Sequence, residues 1–146
     1  MSIFSSINIS SSALTAERTR MDVISKNLAN ANTTRTQSGD PYRRQVVVFK
    51  EAEEKQSFKS IVESKKSKDV DKGVEIVGIV EDKTPFRQVY NPGHPDADEK
   101  GYVTMSNVDT ITEMVDMISA TRSYEANVTA LNTSKSMLLK ALEIGK

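Results

Sequence analysis

The sequence contains no cysteine and only one histidine among its 146 residues. The absence of cysteine excludes a disulfide framework and thiolate chemistry. The histidine, His94, stands in the turn sequence Pro-Gly-His-Pro, and the carboxylates after it lack the glycine and distal glutamate of a calcium loop. No phosphate-binding, dinucleotide-binding, nucleophile-elbow or zinc-protease motif is present. We therefore expect no enzyme activity, no metal site and no cofactor.

An excess of charge of one sign and long apolar runs are also missing. The 20 basic residues balance the 20 acidic ones, so the net charge is +0. Nucleic acids and anionic membranes attract clustered positive charge, and neither is therefore expected as the main partner. No apolar run is long enough to span a membrane, which predicts no direct membrane insertion. The N-terminus lacks the basic and apolar regions of a cleavable secretory signal, so any export is expected to use another route.

Glycine and proline are scarce at both ends of the chain, because five of the six glycines and all four prolines lie between 39 and 106. Without helix breakers, the ends are predicted to be helical, over about 7–29 and 107–146. Ser106 or Asn107 is the expected N-cap of the second helix. The predicted fold class is α+β: segments 1–38 and 107–146 form one helical layer, and 39–106 forms a β-rich insert.

The insert contains four short runs rich in β-branched and aromatic residues, which predict strands at 45–49, 74–80, 86–90 and 101–105. Gly78, inside the second run, indicates a β-bulge. Between the first two runs, residues 50–72 are charge-rich with few apolar residues. This stretch is predicted to be solvated and mobile.

Apolar residues in both helical segments recur at alternating three- and four-residue spacing. In the C-terminal segment this pattern extends over about four heptads, as in a coiled coil. Ile111, Val115 and Ile118 add a second apolar edge outside this seam. Two antiparallel helices of unequal length leave part of these stripes uncovered, so we expect packing between chains. The predicted interface residues are Leu14, Met21, Ile24, Leu28, Met114, Met117, Tyr124, Val128, Leu131, Leu138 and Leu142.

Several motifs resemble those of bacterial flagellar rod and hook proteins. The N-terminal signature is Asn27-Leu28-Ala29-Asn30-Ala31-Asn32-Thr33 followed by Pro41-Tyr42-Arg43-Arg44-Gln45. The C-terminal motifs of the family are similar to Asn107-Val108-Asp109, Glu113-Met114-Val115, Ile118-Ser119-Ala120, Arg122-Ser123-Tyr124-Glu125-Ala126-Asn127 and Leu131-Asn132. One departure is Thr110-Ile111, where the family is expected to have Pro-Val. The resemblance covers nearly the whole chain apart from about 50–72.

The resemblance implies a structural subunit of the proximal rod, the drive shaft of the flagellar basal body. Such a subunit is expected to assemble with copies of itself and with rod proteins of the FliE, FlgB, FlgF and FlgG types, next to the inner-membrane ring. It would transmit torque and line the export channel with its helices, while the β-rich middle forms an outer layer. The resemblance also implies export by the flagellar type III apparatus, without a cleavable signal peptide, to the periplasmic rod.

Two hypotheses follow for the mechanism. In the first, the terminal helices are largely unfolded in the free monomer and become ordered on assembly, because burial between chains offsets their conformational entropy. In the second, the signature residues fix the chain where it leaves the first helix and hold Tyr42 and Arg43 between the helices and the insert; these residues are Asn27, Asn30, Asn32 and Thr33. The competing function is a soluble helical adaptor or export chaperone that binds one partner through its C-terminal helix.

Overall fold

The computed structural model describes residues 3–52 and 72–144 and contains two long helices that flank two β-hairpin ribbons. This arrangement confirms the α+β fold class. The elements in chain order are α1 Ile3–Ala29, β1 Gln45–Glu51, β2 Val74–Glu81, β3 Arg87–Tyr90, β4 Tyr102–Met105 and α2 Thr110–Ile144. Each predicted strand is present and its ends differ by at most two residues from the prediction.

The four strands form two separate antiparallel pairs rather than one sheet. In the first ribbon β1 pairs with β2, and the register shifts because Val48 lies opposite Gly78 whereas Phe49 lies opposite Ile76. Val77 is the extra residue, so the predicted bulge lies next to Gly78. A two-stranded ribbon is marginally stable alone. This one therefore depends on α1, against which both of its strands pack.

The second ribbon, β3 with β4, lies between the first ribbon and α2 in the chain. Tyr90 lies opposite Tyr102 in the ladder, and their rings meet edge to face with centroids 5.3 Å apart. Gly101, directly before Tyr102, has a backbone conformation in the left-handed region at φ 79°. A side chain there would meet the Tyr90 ring at 2.9 Å, so both the backbone conformation and the packing require glycine.

The two helices pack against each other as an antiparallel pair. Near the start of α2, Glu113 contacts Asn27, which is close to the end of α1. Further along α2, Thr121 contacts Met21. A row of covered or partly covered residues follows this side of α2 at three- and four-residue spacing: Glu113, Met117, Ala120, Tyr124, Asn127, Leu131, Ser134 and Leu138. Several are small, which brings the two helix backbones close together.

Asp109, not Ser106 or Asn107, is the N-cap of α2. Its carboxylate accepts hydrogen bonds from the Ile111 amide (3.2 Å) and the Thr112 hydroxyl (2.6 Å). The prediction of the cap was wrong because both earlier residues have other partners: the Ser106 hydroxyl accepts from the amide of Val108, and Asn107 binds the β insert. Of the charge-rich stretch 50–72, residues 53–71 lie outside the described residues.

Candidate functional site

The side chain of Asn27 lies at the centre of the place where α1, β1 and α2 meet. It is 1% exposed. Its amide nitrogen donates to the Gln45 carbonyl (2.8 Å) and to Glu113 Oε2 (3.0 Å). Its oxygen accepts from the Tyr42 hydroxyl (2.9 Å) and the Gln45 amide (3.0 Å). The side chain therefore uses its full hydrogen-bonding capacity and pairs with Gln45 as a neighbouring strand would.

Glu113 and Arg44 form the charged part of the same cluster. Glu113 is 0% exposed, and its second oxygen accepts a 2.7 Å hydrogen bond from Arg44 Nε. The Arg44 guanidinium also contacts Asp82 at 3.4 Å and Asp116 at 3.5 Å. A buried carboxylate is tolerated only when it is paired and hydrogen-bonded, as Glu113 is. We call Asn27, Tyr42, Arg44 and Glu113 the joint.

Asn107 and Arg43 extend the joint to the loop after β2. The Asn107 side-chain oxygen accepts the Arg44 amide at 2.7 Å, and its nitrogen donates to the Thr84 hydroxyl at 2.8 Å. Arg43 donates to the Asp82 carbonyl at 3.1 Å, and its guanidinium carbon lies 4.3 Å from the centre of the Phe86 ring. These contacts tie both ribbons to the start of α2.

The chain between α1 and β1 is shaped by two other signature residues. The Asn30 side chain donates to the Lys26 carbonyl (2.9 Å), which also accepts the Asn30 amide (3.2 Å) at the helix end. The Thr33 amide donates to the Asn30 carbonyl, and the Thr33 carbonyl accepts from the Tyr42 amide. Tyr42 is thereby brought back onto Ala31 and Val108, the small apolar core of the joint. Asn32, in contrast, is exposed.

Two groups of the joint and one neighbouring group have shifted pKa values. Burial raises the pKa of the Tyr42 hydroxyl, and the carboxylates of Glu113 and Glu81 raise it further. The pKa of Arg44 is also raised: burial acts to lower it, but the hydrogen bonds and charges of Glu113 and Asp82 together outweigh that effect. The pKa of Asp82 is lowered, chiefly by the Thr84 amide hydrogen bond. At neutral pH the joint therefore combines a charged arginine with a neutral tyrosine.

The outward face of α2, opposite its packing with α1, is apolar in its first turns. Ile111, Met114, Val115 and Ile118 lie on neighbouring turns of one face and are 74%, 54%, 61% and 54% exposed. Further along the helix the same face becomes polar, beginning with Arg122 and Glu125. We call these four residues the α2 stripe. An apolar strip of this kind on a helix is typical of a surface that packs against another protein.

The structure distributes the predicted seam residues over three environments. Ile24 is buried between the helices. Those that the helix pair half-covers are Leu14, Met21, Leu28, Met117, Tyr124, Val128, Leu131 and Leu138. Met114 and Leu142 are exposed. Most of the predicted seam is thus at least partly covered within the chain, whereas Leu142, Met114 and the rest of the α2 stripe remain exposed.

Sequence reasoning missed the charged half of the joint. Glu113 and Arg44 entered the sequence analysis only as parts of family motifs, with no contact predicted between them. The available signal was that Glu113 continues the inward spacing of Met117 and Ala120 on α2. A carboxylate at such a position needs a buried partner. Its partner lies 69 residues earlier in the chain, so the pattern of one helix cannot identify it.

Among residues 3–52 and 72–144, no group of three or more histidine, cysteine, aspartate or glutamate residues could hold a metal ion. No helix within these ranges has the length and apolar character to cross a membrane.

Comparison with known proteins matches both ends of the chain to flagellar families. Residues 7–36 match the family "Flagella basal body rod protein", and residues 99–144 match "Flagellar basal body rod FlgEFG protein C-terminal". The flagellar basal-body rod protein FlgC of Bacillus subtilis is 53% identical over 100% of both chains. The chain belongs to the FlgC family of flagellar basal-body rod proteins.

Other FlgC relatives match with similar coverage. The FlgC of Borreliella burgdorferi is 47% identical over 99% of this chain and 98% of its own length. That of Yersinia enterocolitica is 42% identical over 100% of both chains. The two matched family segments contain α1 from Ile7 onward and all of α2, so both helical partners of the joint lie within them.

Proposed function

We propose that this chain is a structural subunit of the flagellar basal-body rod and acts by assembly rather than by catalysis. Full-length similarity to FlgC proteins supports this function. The observation that carries it is the α2 stripe: four large apolar side chains are exposed on the helix face that the chain's own α1 cannot reach. Burial of such side chains contributes about 25 cal/mol per Å² of apolar surface, so a second subunit gains free energy by covering them.

The finer assignment is to the proximal rod. In this proposal, copies of the chain pack through their helices with one another and with FliE, FlgB, FlgF and FlgG types of rod protein, adjacent to the inner-membrane ring. The helix pair lines the export channel and the two ribbons face outward. The chain reaches the periplasm through the flagellar type III apparatus. The joint gives such a subunit a rigid connection through which torque passes from helices to ribbons.

The interface would include the predicted seam as well as the α2 stripe. Met114 and Leu142 are exposed, and Phe4, at the same end of the antiparallel helix pair as Leu142, is 70% exposed. Helix pairs packed side by side would bury these residues between chains. The adaptor or export-chaperone function is less well supported, because the full-length relatives are named as rod proteins and the stripe is not a closed groove for one peptide.

The test is expression of this chain in a flagellated bacterium whose own FlgC gene is deleted, followed by cryo-electron microscopy of purified basal bodies. We expect restored swimming and density for this chain in the rod below the distal segment. Recovery of the chain only as a soluble complex with one partner, with no copy in basal bodies, would instead support the adaptor function.

A further inference from the structure

The first ribbon is attached to α1 at a second place, far from the joint. The hydroxyl of Ser12 donates to the Ile9 carbonyl (2.7 Å) and accepts the amide of Val74 (3.1 Å). Next to Val74, Gly73 closes the outer end of the ribbon, because its carbonyl accepts the Ala52 amide at 2.8 Å. The outer end of the ribbon therefore contacts the first half of α1 directly.

The contact is so close that only glycine fits at residue 73. A Cβ atom there would overlap Ser12 Oγ and lie 3.0 Å from Ser12 Cβ, with the Ile9 backbone at 3.7 Å. Gly73 does not have a positive φ, so its own backbone conformation does not require glycine. The requirement comes from the approach of α1. Gly78, in the same strand, differs: a Cβ atom there has no described atom within 4 Å.

The two attachments have matching spacing. At the inner end, Asn27 binds both backbone groups of Gln45. Ser12 lies fifteen residues before Asn27, which corresponds to about 22 Å along a helix. Ala52 lies seven residues after Gln45, which corresponds to about 23 Å along a strand. The ribbon consequently runs along α1, held at both ends.

We propose that Ser12 and Gly73 form a positioning contact that fixes the direction of the ribbon along the helix pair. A ribbon attached only at Asn27 can swing about that point, whereas two attachments about 22 Å apart define a line. This contact holds the outward valines Val48, Val77 and Val80 at a set orientation to the helices. It also supports α1 at Ser10, Ser11 and Ser12, which are weak helix formers. Its role in carrying torque rests on the proposed rod function, but its geometry does not.

Since the natural chain has no cysteine, the contact can be trapped by an engineered disulfide. Val74 is the partner, because its amide lies 3.1 Å from Ser12 Oγ and a cysteine there does not replace Gly73. Basal bodies are purified from cells carrying Ser12→Cys with Val74→Cys and are treated with a mild oxidant. We expect a cross-link within one chain, seen as faster migration on a non-reducing gel and reversed by reductant. Each single variant and the pair Ser12→Cys with Gly78→Cys are the controls and should give none. Cross-linked dimers, or chain in basal bodies without any cross-link, would overturn the proposal.

Swimming provides the second measurement. Gly73→Ala should reduce swimming, whereas the matched Gly78→Ala should not. Adding Ser12→Gly to Gly73→Ala removes the overlapping atoms and should restore part of the loss, which a general folding defect at residue 73 would not allow. Equal swimming of the two alanine variants, or no rescue by Ser12→Gly, would contradict a contact between these two residues. Absence of the chain from basal bodies in every strain would instead count against the proposed function.

Discussion

At the scale of single residues, Asn27 determines whether the joint forms. Its amide satisfies two backbone groups of Gln45, the Tyr42 hydroxyl and one oxygen of Glu113, all in a place with almost no access to water. Aspartate cannot replace it, since it would bring a second negative charge beside Glu113 and lose both donors. Serine and glycine are too short to reach both α2 and β1.

We predict that Asn27→Ala lowers the free energy of unfolding by about 3 kcal/mol, because several buried polar groups lose their partner at once. Asn32→Ala, at an exposed signature residue, should change it by less than about 0.5 kcal/mol. Urea unfolding of the two monomers measures the difference. If the two variants are equally stable, the Asn27 hydrogen bonds are not important for folding. If the signature residues also serve assembly, both Asn27→Ala and Asn32→Ala should weaken motility.

Asp82 makes the stability of the joint depend on pH in the acid range. Its folded-state pKa lies below its ordinary value of 3.8, so its contribution is fully present above that value and is lost as the pH falls through the folded-state pKa. Asp82→Asn should therefore flatten the decline in unfolding free energy below about pH 4. Unfolding curves measured from pH 5 to pH 2 test this. An unchanged slope in the variant would mean that Asp82 is not among the groups responsible.

At the scale of elements, α2 has two faces with different tasks. Its inward face contains small and polar residues such as Ala120 and Ser134, and it packs on α1. Its outward face begins with the four apolar residues of the α2 stripe. In the first turns of α2, the more apolar face is therefore the exposed one, whereas an ordinary amphipathic helix buries its apolar face.

We predict that Ile118→Glu abolishes rod assembly while the monomer keeps its stability, because the side chain is already exposed in the single chain. Ile118→Met, which keeps the apolar character, should assemble normally. Recovery of each variant in purified basal bodies, together with urea unfolding of each monomer, gives the comparison. Normal incorporation of the glutamate variant would show that this face is not an interface.

At the scale of the whole molecule, the chain consists of a helix pair and two ribbons joined at one end. The helices have 27 and 35 residues, so the rest of the molecule covers only part of their surface. The hypothesis that the helices order on assembly remains a prediction. The joint and the Ser12–Gly73 contact suggest an order of stability: the joint end of α1 should be the most protected and the ends of the chain the least.

Limited proteolysis of dilute monomer should therefore remove the two chain ends before it cuts near the joint. Exposed and weakly packed ends are cut first because local opening there costs little free energy. Mass spectrometry of the early fragments identifies the cut sites. If the ends resist as long as the joint does, ordering on assembly is wrong for this chain.

The sequence alone determined the helices and strands, because the signals for them are local. The absence of glycine and proline marked α1 and α2, the β-branched runs marked the four strands, and the motifs indicated the rod and hook proteins. Only the tertiary structure decided which face of each helix is inward. That choice depends on how well small residues such as Ala120 and Ser134 let two helices approach, which apolar spacing does not describe.

The joint and the second attachment of the ribbon also required the tertiary structure. Arg44 and Glu113 are 69 residues apart, and Ser12 and Val74 are 62 apart. Each residue has several plausible partners in the sequence, and the one it binds depends on where the folded backbone brings it. Local patterns fix the secondary structure, whereas the pairing of distant polar groups follows from the need to satisfy each of them once it is buried.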